Sequence, residues 1–544
     1  MKKLMGKLGL LIIVTSLNIA ATAQTNNRVR PNIVLIVADD LGYTDLGCYG
    51  GDIKTPNIDQ LAKKGIQFTN FHTAPLCAPT RAMLFSGNDN HVAGIGSMFP
   101  VKGTSREGKP GYEGYLTDRI VTVAQLLKDG GYQTFIAGKW HIGFQDFSIP
   151  YARGFEKSFV LLNGGGNHFN NDPFIQNQPP QFRENDQKVL FPDGKYSTDV
   201  YTEKMLGFIK ERQKDKPFFA VLTYTSPHWP LQAPVEYMEK YKGKYDMGYD
   251  SLRVLRFNQQ QAIRIIPPNA KLPERSADIK LWTALSSEEK KAESRKMELY
   301  AAMVQNLDDH VGQVLQYLKQ SGQYDNTIIV FMSDNGAAAE DFYNLPDGAG
   351  PYIRQHYNND YENMGKAGSF VSYGPQWAQA GAAPFKLFKY YSTEGGMVTP
   401  LIVAGKNVQP KQGYQNVFIT VMDLAPTFLE IAGIKYPGVY ANKKVTPMLG
   451  ESSLSFITGK MKTIHKPDYI FGMEHDGQCM LIKRKWKITN ITDPLDETAF
   501  ALYDLSKDIG ETNDLSRSNP EKFKEMMNEW EIFKKKNGVI PKEK

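Results

Sequence analysis

One pattern constrains this chain more than any other: a short apolar run, rich in β-branched or aromatic residues, that stops at polar ones and recurs three times. Residues 32–38 read NIVLIVA and stop at Asp39-Asp40; residues 218–223 read FFAVLT and run into Ser226-Pro227-His228; residues 327–332 read TIIVFM and lead to Asp334-Asn335-Gly336. Each run is too short for a helix and lacks alternation, so each reads as a strand buried on both faces. Helical patterns lie between them, over 57–64 before Gly65, 119–128 before Gly130-Gly131, 198–211 and 292–320. Strands alternating with helices predict an α/β core with a mostly parallel central sheet flanked by helices. Ligands of such sheets bind beyond the carboxyl ends of the strands, so the polar stops are the first site candidates.

A further strand is expected at 401–404 and a helix over 421–431, closed by Gly433. After about Gly450 the rhythm changes to short extended segments at 469–473, 478–482 and 486–491, then a Glu/Lys-rich helical stretch from 520 to 536. This predicts a smaller C-terminal α+β domain with a short antiparallel sheet. The first residues combine Lys2, Lys3 and Lys7 with an apolar stretch and the small-residue run Ala21-Thr22-Ala23. That is the pattern of an export signal cleaved near Ala23, and it predicts a periplasmic or secreted protein. The expected organisation is therefore a leader at 1–23, a catalytic domain at 24–449 and the smaller domain at 450–544. No second apolar stretch is long enough to span a bilayer, so stable membrane insertion is not expected. The 64 Lys plus Arg against 58 Asp plus Glu give +6, and removing the three leader lysines leaves +3. So weak a surplus over 544 residues gives no basis for a nucleic-acid partner. The pattern leaves the oligomeric state open.

Asp39, Asp40, Asp334 and Asn335 follow two different strands. If the strands are close, four oxygen-bearing side chains converge and suit a hard divalent cation, Ca²⁺ or Mg²⁺. Either pair alone would read as a turn or a helix cap. The chain has 3 cysteines, Cys48, Cys77 and Cys479, so at least one is unpaired; Cys48 and Cys479 are candidates for a bridge. Cys77-Ala-Pro-Thr-Arg81 reads as a loop entering a helix, with Pro79 in the first turn and Cys77 at the cap, an electropositive place for an anionic ester or an activated nucleophile. Lys139, His141 and His228 stand at strand exits, where cations and imidazoles bind oxyanions and move protons. Lys389 precedes Glu394-Gly395-Gly396, and by itself reads as a solvated charge. His72, His91 and His168 are weaker candidates, with His91 expected near the entrance.

Taken together, PNIVLIVADDLGYTDLGCYG at 31–50, CAPTR at 77–81, GKWHIG at 138–143, SPHWP at 226–230, MSDNG at 332–336 and FKLFKYYSTEGG at 385–396 resemble the type I, formylglycine-dependent sulfatases of the alkaline-phosphatase-like superfamily. In detail they look most like bacterial arylsulfatases. The resemblance implies that a maturation enzyme converts Cys77 to Cα-formylglycine, whose hydrate attacks the sulfur of a sulfated small molecule or saccharide. It also implies that Asp39, Asp40, Asp334, Asn335 and the modified residue 77 hold Ca²⁺, with Mg²⁺ second. Arg81 and Lys139 would then clamp sulfate, His141 would recycle the diol, and His228 and Lys389 would meet the bridging oxygen, His228 as general acid. Trp140, Trp229, Tyr373 and Trp377 are candidates to stack on an aryl or a sugar substrate. Two other readings stay open: a phosphomonoester or phosphonate hydrolase on the same scaffold, and a catalytically silent glycan-binding protein.

Overall fold

A computed structural model describes residues 30–99, 101–411 and 413–542. The leader assigned to 1–23 lies outside the described residues. The central sheet has nine strands, which in chain order are β1 (Asn32–Ala38), β2 (Ile66–Phe68), β3 (Gln133–Lys139), β4 (Lys157–Leu161), β5 (Phe182–Glu184), β6 (Gln187–Val189), β7 (Phe218–Thr223), β8 (Thr327–Ser333) and β9 (Leu401–Gly405). Their spatial order is β2-β9-β8-β1-β7-β3-β4-β5-β6. The middle five, β8, β1, β7, β3 and β4, are parallel. Both margins are antiparallel.

Every residue of β1, β7 and β8 is buried, as their uniform apolarity requires, because helices cover both faces. One apolar layer gathers Val34, Ile36, Leu222 and Phe331 with the helices Ser197–Lys210 and Ser287–Gln320; the other gathers Ile33, Leu35, Val221 and Val330 with Leu424–Ala432. The long helix starts at Ser287, five residues before the expected 292, and is preceded by Ser286, whose side chain and that of Glu289 form a reciprocal cap. The helix expected from 119 starts instead at Val123, capped by Thr122 and Gln125 in the same way. The margin strands at 66–68, 182–184 and 187–189 were not expected; three residues are too few to show a period.

The C-terminal region forms a four-stranded antiparallel sheet, β10 (Ile470–His475), β11 (Gln478–Lys483), β12 (Trp486–Asn490) and β13 (Ala501–Asp504), followed by the helix Pro520–Asn537. One face of this sheet buries Cys479, Leu481 and Ile488 against Met526 and Trp530 of that helix. Through Phe471, Met473, Met480 and Ile482 the other face joins the core layer beneath the large sheet. All three cysteines are free, so Cys48 and Cys479 do not bridge. Among the described residues no helix is long and apolar enough to cross a membrane.

Candidate active site

Because β8, β1, β7 and β3 are parallel neighbours, their carboxyl ends open on one edge of the sheet, and the residues just beyond them meet there. Asp39 and Asp40 leave β1, Asp334 and Asn335 leave β8, Lys139 ends β3 with His141 two residues on, and His228 follows β7. Gly138 permits the tight approach of β3 to β7: its φ is +124°, and a Cβ there would lie 1.9 Å from the Thr223 carbonyl oxygen. Asp40 and His141 take left-handed backbone conformations, φ 65° and 61°, uncommon for residues with a Cβ. The helix Cys77–Ser86 brings its first residue to the same edge. Cys77 is thus inside the first turn rather than at the cap, which is Leu76, and Pro79 sits two residues further in.

Each carboxylate here is held by a cation. Lys139 Nζ donates to both oxygens of Asp39 at 2.8 Å. Arg81 donates to Asp334 Oδ2 through Nη2 at 2.7 Å and Nε at 3.0 Å. Lys389 Nζ donates to Asp40 Oδ2 at 2.8 Å, which separates it from neighbouring Lys386, whose Nζ lies 3.5 Å from the Glu511 carbonyl. His228 Nε2 is 3.4 Å from Asp40 Oδ2, and its Nδ1 donates to the Trp229 carbonyl at 2.7 Å. Cys77 Sγ lies 3.2 Å from His141 Nδ1 and 3.8 Å from Met98 Sδ. Cys77, Arg81, Lys139, His141, His228 and Lys389 therefore meet Asp39, Asp40 and Asp334 in one cluster.

The electrostatics follow from burial. Burial pushes the Cys77 thiol up to about 11 although Lys139 and Lys389 oppose it, so the thiol is protonated and a poor nucleophile near neutral pH. Burial resists ionisation of Asp40 as well, but Lys389, His228 and Lys139 outweigh it and hold this carboxyl at about 2. His141 is driven well below the usual imidazole range by burial and then by Lys139 and Arg81, and His228 by burial with Lys139 and Lys389 against Asp40, so each is neutral.

Does this arrangement fit a divalent cation? Asp39, Cys77 and Asp334 offer ligand atoms within 4.8 Å of one another, as do Asp39, Asp40 and His228. Asn335 Nδ2 donates to Asp40 Oδ1 at 2.6 Å, while its buried Oδ1 has no hydrogen-bond partner. Burial lifts the Asp39 carboxyl well above the usual range, against Lys139 and with Asp334 and Asp40 adding to the rise. An orphaned amide oxygen and a carboxylate that resists ionisation are what a hard cation would satisfy, and the oxygen-rich donor set suits Ca²⁺. Three carboxylates already balance Arg81, Lys139 and Lys389, so a divalent ion leaves a positive surplus for an anion.

Other expectations are corrected. Trp140 and Trp377 are fully buried and Tyr373 is 3% exposed. Trp140 packs on Phe85 and Phe155, Trp377 on Tyr245 and Tyr249, and Tyr373 on Tyr300, so none is free to stack on a ligand. Trp229 alone of the four borders the cluster, with its ring 4.1 Å from that of His228. His91 is no entrance residue; it is buried between Asp89 and Glu474. His72 is buried against Glu394, and His168 supports His228 from behind, its Nε2 3.1 Å from the His228 carbonyl oxygen. Sequence reasoning missed Glu340, 3.1 Å from Lys389, and Met98, because neither stands at a strand end or at a telling spacing. It also missed Gly164 and Gly165, where a Cβ would fall 2.6 Å from the His141 ring and 2.9 Å from that of His228.

Comparison with known proteins agrees with this geometry. Residues 31–434 match the Sulfatase family. The chain is 41% identical over 525 residues to an uncharacterized sulfatase of Schizosaccharomyces pombe, covering 94% of each, and 38% identical over 453 residues to an arylsulfatase of Klebsiella aerogenes, covering 82% of this chain and 96% of the other. The crystal structure of Ps i-CgsB aligns with a TM-score of 0.65 at 26% identity, covering 93% of this chain and 92% of that one. The chain belongs to the sulfatase family, within the alkaline-phosphatase-like superfamily and close to the bacterial arylsulfatases.

Proposed function

We propose that the protein hydrolyses a sulfate monoester, of a phenol or a sugar, to the free alcohol and sulfate, at a site made by residue 77 and the charge cluster at the edge of the sheet. The observation that carries this is the position of Cys77: it opens a helix beside three carboxylates, three fixed cations and two neutral imidazoles. A thiol held protonated there is a poor reagent, which supports its conversion to Cα-formylglycine by a maturation enzyme. In hydrated form that residue supplies one hydroxyl to attack sulfur and a second through which sulfate is expelled. Asp39, Asp40, Asp334 and Asn335 would hold Ca²⁺, which supplies charge to offset that developing on the sulfate oxygens.

The chain's own residues supply the rest. Arg81 and Lys139 stand behind residue 77 and attract the sulfate oxygens. His141, neutral and with Nδ1 nearest residue 77, takes the proton of the second hydroxyl as sulfate is expelled, and so recycles the diol. His228 keeps its Nδ1 proton on the Trp229 carbonyl and turns Nε2 toward the cluster. Entry of an anion raises the proton affinity of this atom, so it can carry the proton that the leaving oxygen takes, with Lys389 beside it. Gly164 and Gly165 leave room for both rings.

Hydrolysis of 4-methylumbelliferyl sulfate by protein produced with a formylglycine-generating enzyme tests the reading, with a mass spectrum of the peptide containing residue 77 to verify the aldehyde. No turnover of any aryl or sugar sulfate by verified, calcium-loaded protein overturns it, and faster turnover of phosphate esters favours a phosphohydrolase instead. The leader at 1–23 makes the enzyme an exported one in this reading. A sugar substrate is consistent with relatives: Ps i-CgsB has been crystallised with k-i-k-neocarrahexaose, and a Bacteroides thetaiotaomicron relative, 25% identical, is an N-acetylglucosamine-6-O-sulfatase.

A further inference from the structure

The cluster described above is almost sealed. The side chains of Asp40, Lys389 and His228 are 1%, 2% and 3% exposed, whereas Glu340, whose Oε1 lies 3.1 Å from Lys389 Nζ, is 32% exposed. Glu340 therefore stands where the lysine side of the cluster meets solvent. Its carboxylate is incompletely used, since Oε2 is enclosed and has no hydrogen-bond partner. Nearby, the indole N–H of Trp229 is also unpartnered and buried. Phe342, two residues after Glu340, packs on Trp229 with ring centroids 4.4 Å apart, and Phe174 meets the same indole edge-on at 5.3 Å. An aromatic wall, an idle donor and an idle acceptor thus border the side on which His228 and Lys389 face a bridging oxygen. Buried polar atoms are rarely left idle, and here a ligand's polar groups are what would satisfy them.

We propose that Glu340 is a specificity-determining residue: it reads the group next to the sulfated carbon, accepting a hydrogen bond from a hydroxyl or ammonium there and repelling a second anion. This inference rests on the sulfate-ester reading and narrows it to esters of neutral or amino polyols with no sulfate or carboxylate beside the scissile ester. Lys389 offsets Glu340 only in part, because its ammonium, 3.1 Å from Glu340, is shared with Asp40 at 2.8 Å. A second negative charge on the substrate would meet an acceptor-only carboxylate whose charge its one lysine offsets only in part.

The test uses calorimetric binding to calcium-loaded protein that keeps the Cys77 thiol, so no chemistry intervenes. Three probes are compared: phenyl sulfate, ortho-hydroxyphenyl sulfate and ortho-carboxyphenyl sulfate. The wild type is expected to bind the hydroxyl probe tightest and the carboxyl probe weakest, with about tenfold between the extremes after allowing for partial solvent screening. In Glu340→Gln the spread should shrink to about twofold, and Glu340→Asp should restore the order. Any disturbance passed on through Lys389 acts on all three probes and cancels in the ratio. An equal spread in wild type and Glu340→Gln, or no binding of any probe by the wild type, overturns the proposal. Turnover by aldehyde-bearing enzyme is read separately: an enzyme that hydrolyses phenyl sulfate but shows no charge preference sinks this inference and leaves the function standing, while a preference without turnover does the reverse.

Discussion

Two buried charge clusters in this protein use the same residue types for different ends. At the sheet edge, Asp39, Asp40 and Asp334 face Arg81, Lys139 and Lys389. At the junction with the C-terminal sheet, Glu394 and Glu511 face Lys487 at 2.7 Å and 2.9 Å, and His72 Nε2 lies 3.1 Å from Glu394. The junction cluster ties the short helix Glu394–Met397 of the large core to β12, and its side chains are at most 5% exposed. The edge cluster differs in its left-handed residues at Asp40 and His141, its buried thiol and its way out to solvent past Glu340; both clusters hold buried polar atoms without a hydrogen-bond partner, Asn335 Oδ1 in one and His72 Nδ1 in the other. Paired charge alone therefore does not mark a site. Strain and access do.

Mutations should separate the two clusters cleanly. Cys77→Ala should lower sulfate-ester turnover by about 10⁴-fold or more with little change in melting temperature, measured on matched, folded protein. Asp334→Ala should lower kcat by about 10³-fold and weaken Ca²⁺ binding in a calorimetric titration, and a chelator should mimic it on wild type, reversibly on adding Ca²⁺. Lys487→Met should do the opposite: it leaves two buried carboxylates without their cation and should lower unfolding free energy by about 3–5 kcal/mol in a denaturant titration, while the molecules that remain folded keep their kcat. An activity loss in Lys487→Met without loss of stability would break the distinction.

A smaller effect concerns His91, which joins the large core to the C-terminal sheet through Asp89 and Glu474. Burial opposes its charge, but these two carboxylates outweigh it and raise the imidazole to about 9 from an ordinary value near 6.5. Arg106 and Tyr112 also face it, Arg106 being paired with Glu474 in turn. A raised folded-state value means that this stabilisation is fully present below about pH 6.5 and fades as pH rises through 9. Wild type should exceed His91→Gln by about 2 kcal/mol at pH 6 and by much less at pH 10 in parallel unfolding curves.

The contrast also explains what the sequence made legible. Asp39-Asp40 and Asp334-Asn335 stand out because each follows an apolar run that only a central strand accommodates, and parallel packing then forces them together. Cys77, Arg81, Lys139, His141 and His228 are legible for a related reason, since they sit in short, distinctive strings at strand or helix ends. The roles of Trp140, Tyr373 and Trp377 were not, because an aromatic in a loop looks the same whether it faces a ligand or fills a core. Glu340 and the junction cluster were hidden more deeply. Glu394 and Lys487 are 93 positions apart, and no local rule connects them.

The burial of residue 77 carries a last consequence, for timing. Cys77 is 2% exposed, packed under Met98 and His141 at the start of a helix whose every residue is buried. So little exposure leaves the sulfur poorly placed for another protein's catalytic groups once the chain has folded. On the conversion proposed above, the maturation enzyme would meet this thiol on the newly made polypeptide, and a cell that folds the chain before oxidising it would accumulate an idle product.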